Sequence, residues 1–143
     1  MNQNFKDFYD TLSENLNSYN GEYESFIDYG PDLFKLLCDM LTADIKPELR
    51  LPICGAIAYY VTPEDIIPEK NMGPYGYIDD IYLTCYVLNL VAEAHSYDLI
   101  QEYAPFDAEK IINECESKSL ELLKDEEIEE IFNYTGIEFR LPL

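Results

Sequence analysis

The chain has 143 residues, 48% of them hydrophobic, with 29 acidic side chains against 9 basic ones and a formal net charge of −20 at pH 7. Length and apolar content suffice for one domain with a real core, which excludes wholesale disorder. The charge excludes direct binding to nucleic acid or to an anionic bilayer, both of which are gripped through Lys and Arg, and it suits a basic partner or simple solubility.

Helical periodicity dominates the chain. Phe5, Phe8, Tyr9, Leu12, Leu16 and Tyr19 recur at steps of three and four, the stripe of an amphipathic helix that Asn20-Gly21 ends. Residues 23–29 read as a helical turn. Gly30-Pro31-Asp32 then opens a second helix, since Pro is tolerated at the first position and Asp suits the positive end of the dipole; its buried face is Leu33, Leu36, Leu37, Met40 and Leu41. Pro47 starts the next helix, which runs to about Val61, with Pro52 implying a kink or a late start. The small residues of Cys54-Gly55-Ala56-Ile57-Ala58 let another helix approach closely.

Residues 74–94 form the longest helical pattern. One stripe is Ile78, Ile81, Cys85, Leu88 and Ala92, and a second is Leu83, Val87, Leu90 and Ala94. Two stripes predict a helix covered on most sides, hence a central one. Two more helices follow Pro105. Asp107 is the predicted N-cap of the first, with Phe106 and Ile111 at hydrophobic-staple spacing, and Asp125 that of the second, with Ile128, Ile131 and Phe132 as its apolar face and Gly136 as its C-cap. Residues 107–130 hold ten acids and three lysines, most simply a solvated face. Strand signals are confined to a weak alternation over 137–143. The expectation is an all-α fold: residues 1–143 as a single compact helical domain of five to seven helices around a long central one. Its core covers about 47–95, flanked by amphipathic helices in 1–46 and 105–136.

Cys38, Cys54, Cys85 and Cys115 each stand alone in an apolar helical pattern, and His95 is the one histidine. That excludes thiolate or imidazole zinc sites and a disulfide scaffold, and reads as buried free thiols in a reducing cytoplasm. No signal-peptide core opens the chain, and the longest apolar runs are too short to span a bilayer alone. The chain therefore reads as soluble and cytoplasmic. Neither a nucleophile elbow nor a phosphate-binding glycine loop is present. His95 falls on the last turns of the central helix, where a cation is favourable, and a Cys–His nucleophile with Cys85 or Cys115 would need an accident of folding.

Unusual residue types crowd into 56–80. Thr62 is placed to cap a short helix with Pro63 at its first position and Asp65 reaching back, and Pro68 stops it. Two glycines, one of them Gly76, and Pro74 then reverse the chain. Asp79 shares a polar and aromatic face with Tyr75, Tyr82, Tyr86, Asn89 and Glu93, which leaves it free to meet a ligand. Asp80 shares its stripe with Leu83, Val87 and Leu90 and is the carboxylate expected to be buried, so it needs partners: first-turn N–H groups, Arg50, Lys70, or the hydroxyl of Tyr59 or Tyr60. Two readings stand side by side. Asp65, Asp79 and Asp80 are caps and buried anchors of a corner, or Glu64, Asp65, Glu69, Asp79 and Asp80 are a carboxylate cluster for Mg²⁺ or Ca²⁺.

The run Thr62-Pro63-Glu64-Asp65-Ile66-Ile67-Pro68-Glu69, with the apolar helix before it and Gly76-Tyr77-Ile78-Asp79-Asp80 after it, resembles the YkvA-like domain of unknown function. The likeness covers about residues 52–91. Glu69 stands where that family usually has Asp, and Glu64 where it usually has an apolar residue. The resemblance implies a small helical domain, often of membrane-like hydrophobicity, with no established reaction. Functionally, the expectation is a non-enzymatic protein–protein interaction or regulatory module with no cofactor. Its surface is either the tyrosines Tyr75, Tyr82 and Tyr86 or the acidic C-terminal helices, and its partner a protein, a basic one suiting the charge. The alternatives are the Mg²⁺ or Ca²⁺ site in a hydrolytic or switch role, an acidic inhibitor mimicking nucleic acid on a basic partner, and peripheral association with apolar helices.

Overall fold

The computed structural model describes residues 25–61 and 78–135. The stripe from Phe5 to Tyr19, the turn at Asn20-Gly21, residues 62–77 and the segment from Gly136 onward lie outside the described residues. Among the described residues there are six α-helices and no strand: α1 (Gly30–Thr42), α2 (Arg50–Val61), α3 (Ile78–His95), α4 (Tyr97–Gln101), α5 (Ala108–Leu122) and α6 (Asp125–Thr135). Two 3-10 turns, Ser25–Tyr29 and Pro47–Leu49, precede α1 and α2. The fold is all-α, as the periodicity predicts.

The local chemistry explains most of these boundaries. Pro31 and Asp32 open α1 in the first turn, and Leu33, Leu36, Leu37 and Met40 are buried beneath it, while Leu41 is only partly covered. Pro47 ahead of α2 and Pro52 in its first turn go with a late start of the α-helix. Pro47 begins a 3-10 turn, the α-helix proper starts at Arg50, and Pro52 falls in the first turn, where no N–H is owed an intrahelical partner.

Helix α3 sits at the centre and packs against each of the other five helices, most extensively against α5. The first predicted stripe is buried throughout, and in the second Leu83 and Val87 are buried while Leu90 and Ala94 are half-buried. The end of α3 comes at Ser96, whose backbone adopts φ 75° and ψ 163° and whose hydroxyl accepts from the N–H of Asp98 at 3.2 Å. This break and the short α4 behind it were not visible in the sequence, which has neither Gly nor Pro between His95 and Tyr103.

Asp107 caps α5 as expected, accepting from the N–H of Lys110 at 3.3 Å. The ring of Phe106 meets Tyr29 edge-on, with centroids 5.4 Å apart. The cap of α6 corrects the expectation for Asp125. The carbonyl of Lys124 accepts the first helical bond, from Ile128, and the N–H of Lys124 donates to the Glu127 carboxylate at 2.8 Å. The cap position is therefore Lys124. Its side chain carries no acceptor, so the glutamate three residues on reaches back in its place.

The cysteines divide. Cys85 and Cys115 are buried on the facing helices α3 and α5, and the Cys115 thiol donates to the carbonyl of Phe26 at 3.9 Å. Burial pushes the Cys85 thiol well up from its ordinary range, and it pushes the half-covered Cys38 up to about 12, with Asp39 adding to the effect. Cys54 departs from the expectation of four buried thiols, for it is exposed on the outer side of α2.

Candidate functional site

Residues along an α-helix advance by about 100° each, so Asp79, Tyr82, Tyr86 and Asn89 line one side of α3 and Asp80 points a quarter-turn away. The structure keeps that phase and changes its meaning. Asp79, expected on an open polar face, is 0% exposed. Its Oδ2 accepts from the hydroxyl of Tyr59 on α2 at 2.6 Å, and its Oδ1 accepts from the N–H of Asp80 at 3.0 Å. The reason is tertiary. Helices α2 and α6 both pack on α3 and roof the face that the helical phase alone leaves open. Asp80 is also fully buried, as its stripe predicts. The Tyr59 hydroxyl, one of the donors anticipated for Asp80, serves Asp79 instead, and Arg50 is exposed.

The tyrosines turn inward as well. Tyr82 is 3% exposed and Tyr86 half-buried, and both rings pack on Phe132 of α6, at centroid distances of 6.2 and 4.8 Å. What the sequence offers as an interface is, for these two residues, an internal joint between α3 and α6. Burial pushes the Tyr82 phenol up to about 12, with Glu116 and Tyr86 contributing. Of the other residues singled out in the sequence, Thr62, Pro63, Glu64, Asp65, Pro68, Glu69, Tyr75 and Gly76 lie outside the described residues.

A second polar group, which sequence reasoning missed, lies further along the same side of α3. The Asn89 amide donates to Asn113 Oδ1 at 3.3 Å and to Glu116 Oε2 at 3.4 Å, both on α5. The hydroxyl of Tyr97 on α4 donates to Asn89 Oδ1, and Asn113 donates back to that hydroxyl at 3.1 Å. Desolvation raises the Glu116 carboxyl above its ordinary range, and the bond from Asn89 offsets part of that rise. The arrangement ties α3, α4 and α5 together by saturating each amide. Asn89 falls on the polar and aromatic face that Asp79 shares, and Asn113 on the polar side of α5, so nothing in either helix taken alone marks the pair. His95 closes the end of α3 by accepting, at Nε2, the N–H of Lys46 at 3.0 Å. Ten residues of helix, roughly 15 Å of rise, separate it from Cys85. Among the described residues no group of three or more Cys, His, Asp or Glu side chains is placed to hold a metal ion.

Residues 50–85, which comprise α2, the intervening segment and the first half of α3, match a family described as a protein of unknown function (DUF1232). An uncharacterised protein, ORF9 of Methanothermobacter thermautotrophicus, is 35% identical over 91 residues, covering 63% of this chain and 62% of its own length. The E3 ubiquitin-protein ligase RNF170 of Danio rerio is 40% identical over 38 residues, covering 27% of this chain and 14% of its own. The chain thus spans less than two thirds of each relative. No solved structure matches. The buried Tyr59–Asp79 pair falls inside the matched stretch, and that stretch matches a domain of unknown function.

Proposed function

We propose that the chain is a non-enzymatic interaction module, cytoplasmic and related to the YkvA-like family, that receives a basic protein segment on the outer faces of α5 and α6. The observation that carries this reading is the division of those two helices. Ile111, Ile112, Cys115, Ser119, Ile131 and Phe132 are closed into the core. Exposed Glu109, Glu114, Glu121, Asp125, Glu126, Glu129 and Glu130 face outward, against Lys110, Lys118 and Lys124. Such a field attracts a cationic segment and is screened within about 8 Å at physiological salt. The burial of Asp79 and Tyr82 and the packing of half-buried Tyr86 on Phe132 favour this surface over the tyrosine-rich corner. The test is affinity capture at native expression level with wild type and with Glu126→Lys/Glu129→Lys/Glu130→Lys. Stoichiometric partners with basic segments are expected, lost in the variant and in high salt. Capture of no stoichiometric partner, or of partners indifferent to the charge reversal, would sink the reading.

A further inference from the structure

Among the described residues, α3 and α5 make the most extensive helix–helix contact, and a cysteine stands near the middle of each buried face. On α3, Cys85 lies in the stripe between Ile81 and Leu88, and on α5 Cys115 lies between Ile112 and Ser119, all of them closed to water. The two cysteines meet across the joint, with their thiols in hydrogen-bond contact, and the Cys115 thiol also reaches the carbonyl of Phe26 at 3.9 Å. Cys54 is exposed and Cys38 half-covered. The two buried cysteines are thus the two that touch.

The surroundings narrow what such a pair can do. The thiolate is the form that attacks electrophiles and binds metals, and this core disfavours it. Burial is the main cause that pushes the Cys85 thiol up, and the contact with Cys115 and the nearby Glu116 act in the same direction. A metal held by both sulfurs would bury two thiolate charges beside that carboxyl, and among the described residues no group of three or more ligating side chains exists to complete such a site. A disulfide suits the place better. It is neutral, it requires no hydrogen-bond partner, and it gives up only the long contact to Phe26. The sulfurs need only close to the separation of an S–S bond, about 2 Å, largely by rotation about χ1.

We propose that Cys85 and Cys115 are a redox latch, closing to an intramolecular disulfide that ties α3 to α5 when the chain meets hydrogen peroxide. The peroxide is the two-electron oxidant. One thiol, deprotonated as the α3–α5 joint opens, attacks a peroxide oxygen; the O–O bond breaks, a sulfenic acid forms, and the departing hydroxide takes up the proton as water. The second thiol then attacks the sulfenic sulfur. The S–S bond forms, the S–O bond breaks, and a second water leaves with the remaining proton. Opening of the joint gates both steps, so the latch answers sustained rather than brief oxidant, and the closed bridge is equally hidden from reductants. Closure constrains a loop of roughly 30 residues in the unfolded chain and so stabilises the folded one.

The test is to treat the full chain with graded hydrogen peroxide in native buffer, block the remaining thiols under denaturing conditions, and map peptides by mass spectrometry without reductant. The expected result is the loss of two hydrogens, a Cys85–Cys115 linked peptide, and a melting midpoint higher by about 10 °C that dithiothreitol reverses. Urea below the unfolding transition should speed closure. Cys38→Ser/Cys54→Ser, which removes the two thiols outside the pair, should link and shift as wild type does, and Cys115→Ala should do neither. Thiols at Cys85 and Cys115 that survive, even in sub-denaturing urea, peroxide sufficient to oxidise exposed Cys54 overturn the inference. So do sulfinic or sulfonic acids at the pair without a link, bridges through Cys38 or Cys54 instead, or a linked chain with a lowered midpoint, which would show that the two helices do not present the cysteines at bridging geometry.

Discussion

Replacing Tyr59 by Phe removes one oxygen from the core and keeps the ring, so it isolates the bond that holds Asp79. Both partners are buried, at 2% and 0% exposure, and the oxygens lie 2.6 Å apart. A hydrogen bond to a charged group contributes about 1.5–3 kcal/mol. Taking the donor from a carboxylate that water cannot reach puts Tyr59→Phe near the middle of that range, about 2 kcal/mol. For a chain of this size that corresponds to a melting midpoint lower by roughly 4–8 °C. Asp79→Asn keeps the shape, trades one acceptor oxygen for a donor, and should cost a similar amount. Urea unfolding of wild type, both single variants and the double variant closes a cycle, and the double variant should fall short of the summed losses by about 1–2 kcal/mol if the two groups act on each other. Single losses below about 0.5 kcal/mol with no coupling would refute the anchor reading. They would return Asp79 to the list of residues available for a ligand.

The raised carboxyl of Glu116 predicts a pH effect of defined sign. Its folded pKa lies above the reference value of 4.5 because burial disfavours the charged form. Its stabilising share is therefore complete below that reference and is lost as pH rises through the folded value. Glu116→Gln, which can still accept from Asn89, should match wild type near pH 3.5 and exceed it at pH 7. The gain is below about 1 kcal/mol because the carboxyl is partly solvated; equal midpoints across the range, or a loss at pH 7, would contradict this. At Ser96 the φ of 75° and ψ of 163° fall where residues other than Gly cost about 1–3 kcal/mol. Ser96→Gly gives up a cap worth a few tenths, so denaturant titration should show a net gain of about 1 kcal/mol, and destabilisation would show that the hydroxyl outweighs the backbone.

The helices were legible because their signals are local. Pro31, Pro47 and Asp107 mark starts through the first-turn N–H groups, and apolar spacing marks the faces of α1, α3 and α5. The α6 cap was displaced by one residue because Asp125 and Glu127 both offer a carboxylate, and backbone geometry alone selects between them. The end of α3 was hidden because a serine in a strained conformation carries no compositional mark. The site was half legible. The sequence placed Asp79 and Asp80 on different sides of α3 and identified Asp80 as buried, since helical phase is fixed by spacing. It could not say that α2 would bring the Tyr59 hydroxyl to Asp79, that Phe132 would cover Tyr82 and Tyr86, or that Asn89 would meet Asn113 and Glu116. Burial and hydrogen-bond partnership depend on which helices pack together. The sequence by itself determined the longer helices, the apolar stripes of α1, α3 and α5 and the −20 charge, and only the tertiary structure decided where α3 ends, which carboxylates are internal ties and which side of α2 is left facing out.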